Sequence, residues 1–147
     1  MGKSVKLGQM PNAPAFSAYA NAATSLANSA QTKVNFQVED FDTNSNFASS
    51  RFTPTVAGYY QLNARVQFTG STVNPLVYIT KNGTQVLCGD YKPGTYSGPV
   101  SAVSGIVYFN GSGDYAEVVG YHTTGSAVNT TASADTTRFD GCLVRPA

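Results

Sequence analysis

The chain has 147 residues, a length that suits one domain with a buried core. Only 12% of its residues are charged and the net charge is +1, so the totals exclude an electrostatic case for nucleic acid or for an anionic membrane surface. Apolar residues make up 41%, with nine tyrosines and eight phenylalanines, and that composition excludes a disordered chain.

The N-terminal stretch "MGKSVKLGQMPNAPAF" has lysines but no apolar run behind them, so no secretory signal is expected. No window approaches the roughly 20 apolar residues needed to span a bilayer. Lys6 stands where a myristoylation motif requires Ser or Thr. The chain is therefore expected to be made and to fold in the cytosol. Residues 1–13 read as an extended arm, because Pro11 and Pro14 discourage helix, and residues 14–147 read as the domain. Within the arm, Lys3, Val5, Lys6 and Leu7 are candidate docking residues. The two lysines serve either solubility or contact with an acidic surface.

Residues 15–31 are ambiguous from propensity alone. Their alanines permit a helix, but Ser, Thr and Asn interrupt any apolar face. "KVNFQVEDF" then alternates, which predicts a strand with Val34, Phe36 and Val38 on one face. "DTNSN" is a turn. In "GYYQLNARVQF", Tyr60, Leu62, Ala64, Val66 and Phe68 share one face, and Tyr59, Gln61, Asn63, Arg65 and Gln67 share the other. Gly58 is expected to give the backbone freedom to enter this strand. "LVYITKNGTQVLCGDY" is a hairpin about Asn82-Gly83, a type I′ signal. Two further strands flank "NGSGD", and "TRFDGCLVR" closes the chain with Phe139, Gly141 and Leu143 on one face. The predicted core is Phe16, Phe36, Phe52, Tyr60, Leu62, Val66, Phe68, Val77, Ile79, Val118, Phe139 and Leu143. At least seven short strands without a strong helix predict an all-β sandwich or barrel.

Six stretches, in order, carry a resemblance: "PAFSA" (14–18), "VNF" (34–36), "FTPTVAGYYQLN" (52–63), "KNG" (81–83), "GDYAEV" (113–118) and "FDGCLV" (139–144). The chain resembles the globular head domain of complement component 1q, in the jelly-roll superfamily shared with tumour necrosis factor. The resemblance spans about residues 14–145. It implies a ten-stranded jelly-roll sandwich, a strand over Phe16 to Tyr19, and a compact homotrimer. It makes Tyr59, Gln61, Asn63, Arg65, Gln67 and Tyr115 the candidate subunit contacts. Unlike familiar members, this sequence shows no Gly-X-Y repeat, and no secretion signal is expected.

Motifs for chemistry are sparse. His122 is the one histidine, and no G-x-S-x-G motif accompanies it, so no enzyme is expected. Cys88 and Cys142 are expected to be reduced and partly buried thiols, and their spacing fits no zinc pattern. Asp40, Asp42 and Asn44 open like a calcium loop, but Ser45 and Arg51 stand where glycine and glutamate belong. Some family members bind calcium near the trimer top, which adds Asp90, Asp114 and Asp135 to Asp40 and Asp42 as calcium candidates, although no metal or cofactor is expected. Asn82, Asn110 and Asn129 begin N-x-Ser/Thr triplets and read as turn residues.

The functional expectation is a viral structural protein on the virion surface, made in the host cytoplasm. It is a trimeric capsid decoration (cement) protein of a bacteriophage head whose arm docks on the major capsid protein or another virion protein. The alternative is a receptor- or glycan-binding tip of a tail fibre, or a secreted ligand-binding head of the complement type. A hydrolase using His122 is a third reading. Fold alone does not decide among these.

Overall fold

The computed structural model describes residues 13–147. Fifteen extended segments follow one another through the described residues, with no helix among them. In chain order they are β1 (Ala15–Tyr19), β2 (Ser25–Leu26), β3 (Thr32–Lys33), β4 (Val38–Asp42), β5 (Phe47–Ala48), β6 (Arg51–Phe52), β7 (Gly58–Gln67) and β8 (Ser71–Val73). Then come β9 (Leu76–Lys81), β10 (Thr84–Cys88), β11 (Thr95–Ser97), β12 (Val100–Phe109), β13 (Ala116–Tyr121), β14 (Val128–Asn129) and β15 (Arg138–Pro146). A first sheet has the order β12-β7-β15-β1-β4, and a second has the order β10-β9-β13-β6-β5 with β3 also paired to β13. The pairs β11–β8 and β14–β2 stand apart from both.

Strand β7 sets the layering. Its burial alternates along its length, with Tyr60, Leu62, Ala64 and Val66 buried against the second sheet. Val77 and Ile79 of β9 and Val118 of β13 meet them from the other side, and all twelve predicted core residues are buried. The aromatic centre is a stack: the Phe16 ring lies 4.2 Å from Phe52 and 5.0 Å from Phe47, with Phe139 edge-on at 4.9 Å. Tyr60 meets Phe52 and Phe109 edge-on. Each such pair adds about 0.5–1.5 kcal/mol beyond its buried area.

The stretch 15–31 contains strand at Ala15–Tyr19, because Phe16 and Ala18 are needed in the core. The expected single strand over "KVNFQVEDF" is broken into β3 and β4. Between them, side chains replace ladder partners. The Phe36 N–H donates to Ser50 Oγ at 2.8 Å, and that hydroxyl donates to the Phe36 carbonyl at 3.2 Å. The Asn82-Gly83 turn forms as predicted, both residues having positive φ, 52° and 79°. Gly58 is required for a different reason from the one expected. A Cβ there would stand 2.5 Å from the Arg145 carbonyl oxygen and 2.8 Å from Leu143 Cδ1, so close packing of β15 demands the glycine.

Truncating the stack tests the layering: Tyr60→Ala or Phe139→Ala should each cost roughly 3–5 kcal/mol in urea unfolding, and an unchanged midpoint would contradict the face assignment. The Tyr60 hydroxyl donates to the Val56 carbonyl at 2.7 Å, and burial pushes its phenol up to about 12. A folded value above the unfolded one of about 10 means that this group's stabilisation is complete below pH ~10 and is lost as the pH rises through ~12. Tyr60→Phe should therefore unfold with a weaker alkaline dependence than wild type over that window.

Candidate assembly surface

The alternation that sends Tyr60 inward sends Tyr59, Gln61, Asn63, Arg65 and Gln67 to the outward face of the first sheet. Register supplies their neighbours. On β12, Tyr108, Ile106, Ser104, Ala102 and Val100 stand opposite Tyr59, Gln61, Asn63, Arg65 and Gln67. On β15, Arg145, Cys142, Asp140 and Arg138 stand opposite Tyr59, Gln61, Asn63 and Arg65. The face has three zones.

One end is apolar. Ile106 is 56% exposed, Val144 49%, Tyr59 46% and Tyr108 42%. The Tyr59 and Tyr108 rings lie 5.4 Å apart. With Arg145, Pro146 and Ala147 these residues line a shallow depression of about 700 Å³. Clustered exposure of large apolar groups marks an interaction site, whereas scattered exposure does not.

The middle is a polar ladder that is already satisfied. Gln61 Nε2 donates to Ser104 Oγ at 2.8 Å and to Asn63 Oδ1 at 3.0 Å. Ser104 Oγ donates to Asn63 Oδ1 at 2.8 Å, and Asn63 Nδ2 donates to Asp140 Oδ1 at 2.9 Å. The ladder continues to the third, charged zone, where Arg138 pairs with Asp40 at 2.7 Å and Asp140 at 3.9 Å. Here a cleft of about 690 Å³ opens, lined by residues that include Arg65, Arg138, Asp140, Cys88 and Asp90.

The other sequence-derived candidates lie elsewhere. Tyr115 is not on this face. It sits beside the Asn82-Gly83 turn of the second sheet, its N–H donating to Asn82 Oδ1 at 3.0 Å and its ring 3.9 Å below the Arg51 guanidinium. Lys3, Val5, Lys6 and Leu7 fall outside the described residues. The calcium candidates are not brought together, and among the described residues no group of three or more His, Cys, Asp or Glu could hold a metal ion. Asp40 pairs with Arg138. Asp42 accepts the Asn44 and Phe47 N–H groups and shapes the turn. Asp114 pairs with Lys81 at 2.9 Å, and Asp135 accepts from the Ser133 hydroxyl.

His122 is fully buried, with Nε2 3.0 Å from the Leu26 carbonyl and Nδ1 3.1 Å from Thr124 Oγ1. Both ring nitrogens are thus occupied by structural partners. Cys88 and Cys142 are free but exposed, which corrects the expectation of partial burial. Cys88 ends the outermost strand of the second sheet, and Cys142 points away from the core between Gly141 and Leu143. On the second sheet Glu117 joins Lys33 at 2.6 Å and Arg51 at 2.9 Å. Burial raises its carboxyl, but the hydrogen bonds from Lys33 and Arg51 outweigh that and hold it below the usual range.

Sequence reasoning missed Ile106, Tyr108 and Val144. "IVYF" (106–109) is apolar at every position, so alternation does not say which two residues face outward. Pairing with β7 decides it.

No protein-family model matches the sequence, and no curated protein matches it. Solved structures do. The chain is similar to murine APRIL at pH 5.0, with 14% identity, TM-score 0.68, and coverage of 90% of this chain and 99% of that one. It is similar to the globular domain of zebrafish complement 1qA protein, with 19% identity, TM-score 0.60, and coverage of 91% and 99%. Eiger TNF from S. frugiperda matches at 10% identity, TM-score 0.66, and coverage of 92% and 95%. At such identities the likeness concerns the fold alone, an all-β jelly roll of the tumour-necrosis-factor and complement-1q kind.

An acid titration tests the Asp114 reading. The hydrogen bond from Lys81, then that from Asn82, holds its carboxyl down at about 2. A depressed folded value stabilises above the unfolded value of about 3.9 and is lost as the pH falls through ~2. Melting temperatures of wild type and Asp114→Asn should therefore differ near neutrality and converge over that acid window.

Proposed function

We propose that this chain is a non-enzymatic structural module that closes into a homotrimer through the outward face of its first sheet. It decorates a bacteriophage head, with residues 1–13 docking on the major capsid protein. The observation that carries the assembly is the cluster of Tyr59, Ile106, Tyr108 and Val144, all large and about half exposed in the single chain.

Energetics favour that end as the driving contact. Fully burying a large apolar side chain stabilises by roughly 1.5–3 kcal/mol. The polar ladder gains little on association, since its hydrogen bonds already exist within one copy. Its role is to present a largely hydrogen-bonded surface that a partner copy covers with few groups left unpaired. A ring of three requires two different patches per copy, and the face and edge of the first sheet supply them.

The capsid role is supported by the low charge, the Ser/Thr/Asn-rich composition and the arm-like pattern of residues 1–13. A second reading, a ligand-binding head, is favoured by the likeness to the globular domain of zebrafish complement 1qA protein. In that reading the exposed Tyr91 and Tyr96 are contact residues.

Sedimentation tests the assembly: wild type should run as a trimer, and Ile106→Asp should raise the dissociation midpoint at least about tenfold while leaving the melting of the isolated copy near wild type. A trimer unaffected by Ile106→Asp would remove the face from consideration. Removing residues 1–12 should leave the trimer intact and abolish co-sedimentation with capsids. Retained capsid occupancy would reject the docking arm.

A further inference from the structure

We propose that Arg65 of one copy pairs with Asp90 of the next, and that this ion pair fixes how the trimer closes. The inference rests on the assembly reading above and deepens it.

Both groups border the cleft of about 690 Å³ at the charged end of the face. The cleft's other charges are satisfied. Arg138 is held by Asp40 and Asp140, and Asp140 also accepts from Asn63. Arg65 is different. It is exposed, has no ion pair among the described residues, and stands directly opposite Arg138 on the neighbouring strand. Like charges placed directly across a strand pair are destabilising unless another charge offsets them. Asp135 feels Arg65 only as a minor influence, its carboxyl being held down first by the Ser133 hydroxyl.

Asp90 is the complementary case. Its carboxylate has no ion pair among the described residues. Its backbone N–H donates to the Ala102 carbonyl at 3.2 Å, which seats it against β12, the outermost strand of the first sheet. Within one copy the two charges border the same cleft without pairing, Arg65 on the face and Asp90 against the outer strand β12. A head-to-tail ring brings the edge of one copy onto the face of the next, whereas a twofold contact would bring one patch onto itself. Arg65 and Asp90 are placed for the ring.

Opposite reversals test this with the full chain. Arg65→Asp and Asp90→Arg should each raise the midpoint concentration of trimer dissociation about tenfold or more, as removal of a close interfacial charge pair does. Wild-type assembly should weaken as salt is added. The double variant should recover assembly. Mixing the two single variants should recover it in part, because opposite charges then meet wherever copies of the two variants are neighbours in the ring. A pair formed within one copy would gain nothing from mixing. Circular dichroism of each variant checks that the fold persists, and Arg65→Ala with Asp90→Ala gives the milder series. Trimers as stable in both single variants as in wild type, or a mixture no better than its components, would overturn the pair while leaving the assembly reading standing. A monomeric wild type would overturn both.

Discussion

Everything in this molecule is referred to the two-residue period of β7. Tyr60, Leu62, Ala64 and Val66 fill the space between the sheets, while Tyr59, Gln61, Asn63, Arg65 and Gln67 are presented outward. A shift of one residue would exchange the two sets and put an arginine and three amides into the core. The buried row therefore fixes the exposed row. Because β7 lies between β12 and β15, that constraint spreads to both neighbours through their registers.

The outward face combines three kinds of surface on one sheet. Its apolar end has large groups in water, its middle has a hydrogen-bonded ladder, and its far end has charges around a cleft. Apolar area gives association free energy without direction. Polar and charged groups add little net energy but penalise wrong arrangements. The proposed self-contact draws on all three kinds of surface. The lone imidazole is buried and engaged, and the carboxylates mostly serve ion pairs and turns.

Local signals were legible wherever one local rule applied. Asn82-Gly83 specified its turn, the alternation of 58–68 specified its faces, and Phe139, Gly141 and Leu143 specified the inward side of β15. Where a distant partner intervenes, the local rule failed. The pattern of 33–41 read as one strand, yet Ser50 captures the Phe36 peptide and interrupts it. Gly58 read as conformational freedom, yet its constraint is the Arg145 carbonyl on a strand 87 positions later, from 58 to 145. Tyr115 resembled an interface tyrosine, yet Arg51 and Asn82 hold it to the second sheet.

The sequence by itself determined the all-β class, the inward and outward rows of the central strand, the main core and the principal hairpin. Each of these follows from periods of two residues or from a dipeptide's backbone preference, which operate within a few neighbours. Tertiary structure alone decided that Ile106, Tyr108 and Val144 join Tyr59, that Arg65 faces Arg138, and that Asp90 lies at the edge of the same cleft. Those adjacencies are set by which strands pair and in what register, and the residues concerned are separated by tens of positions along the chain.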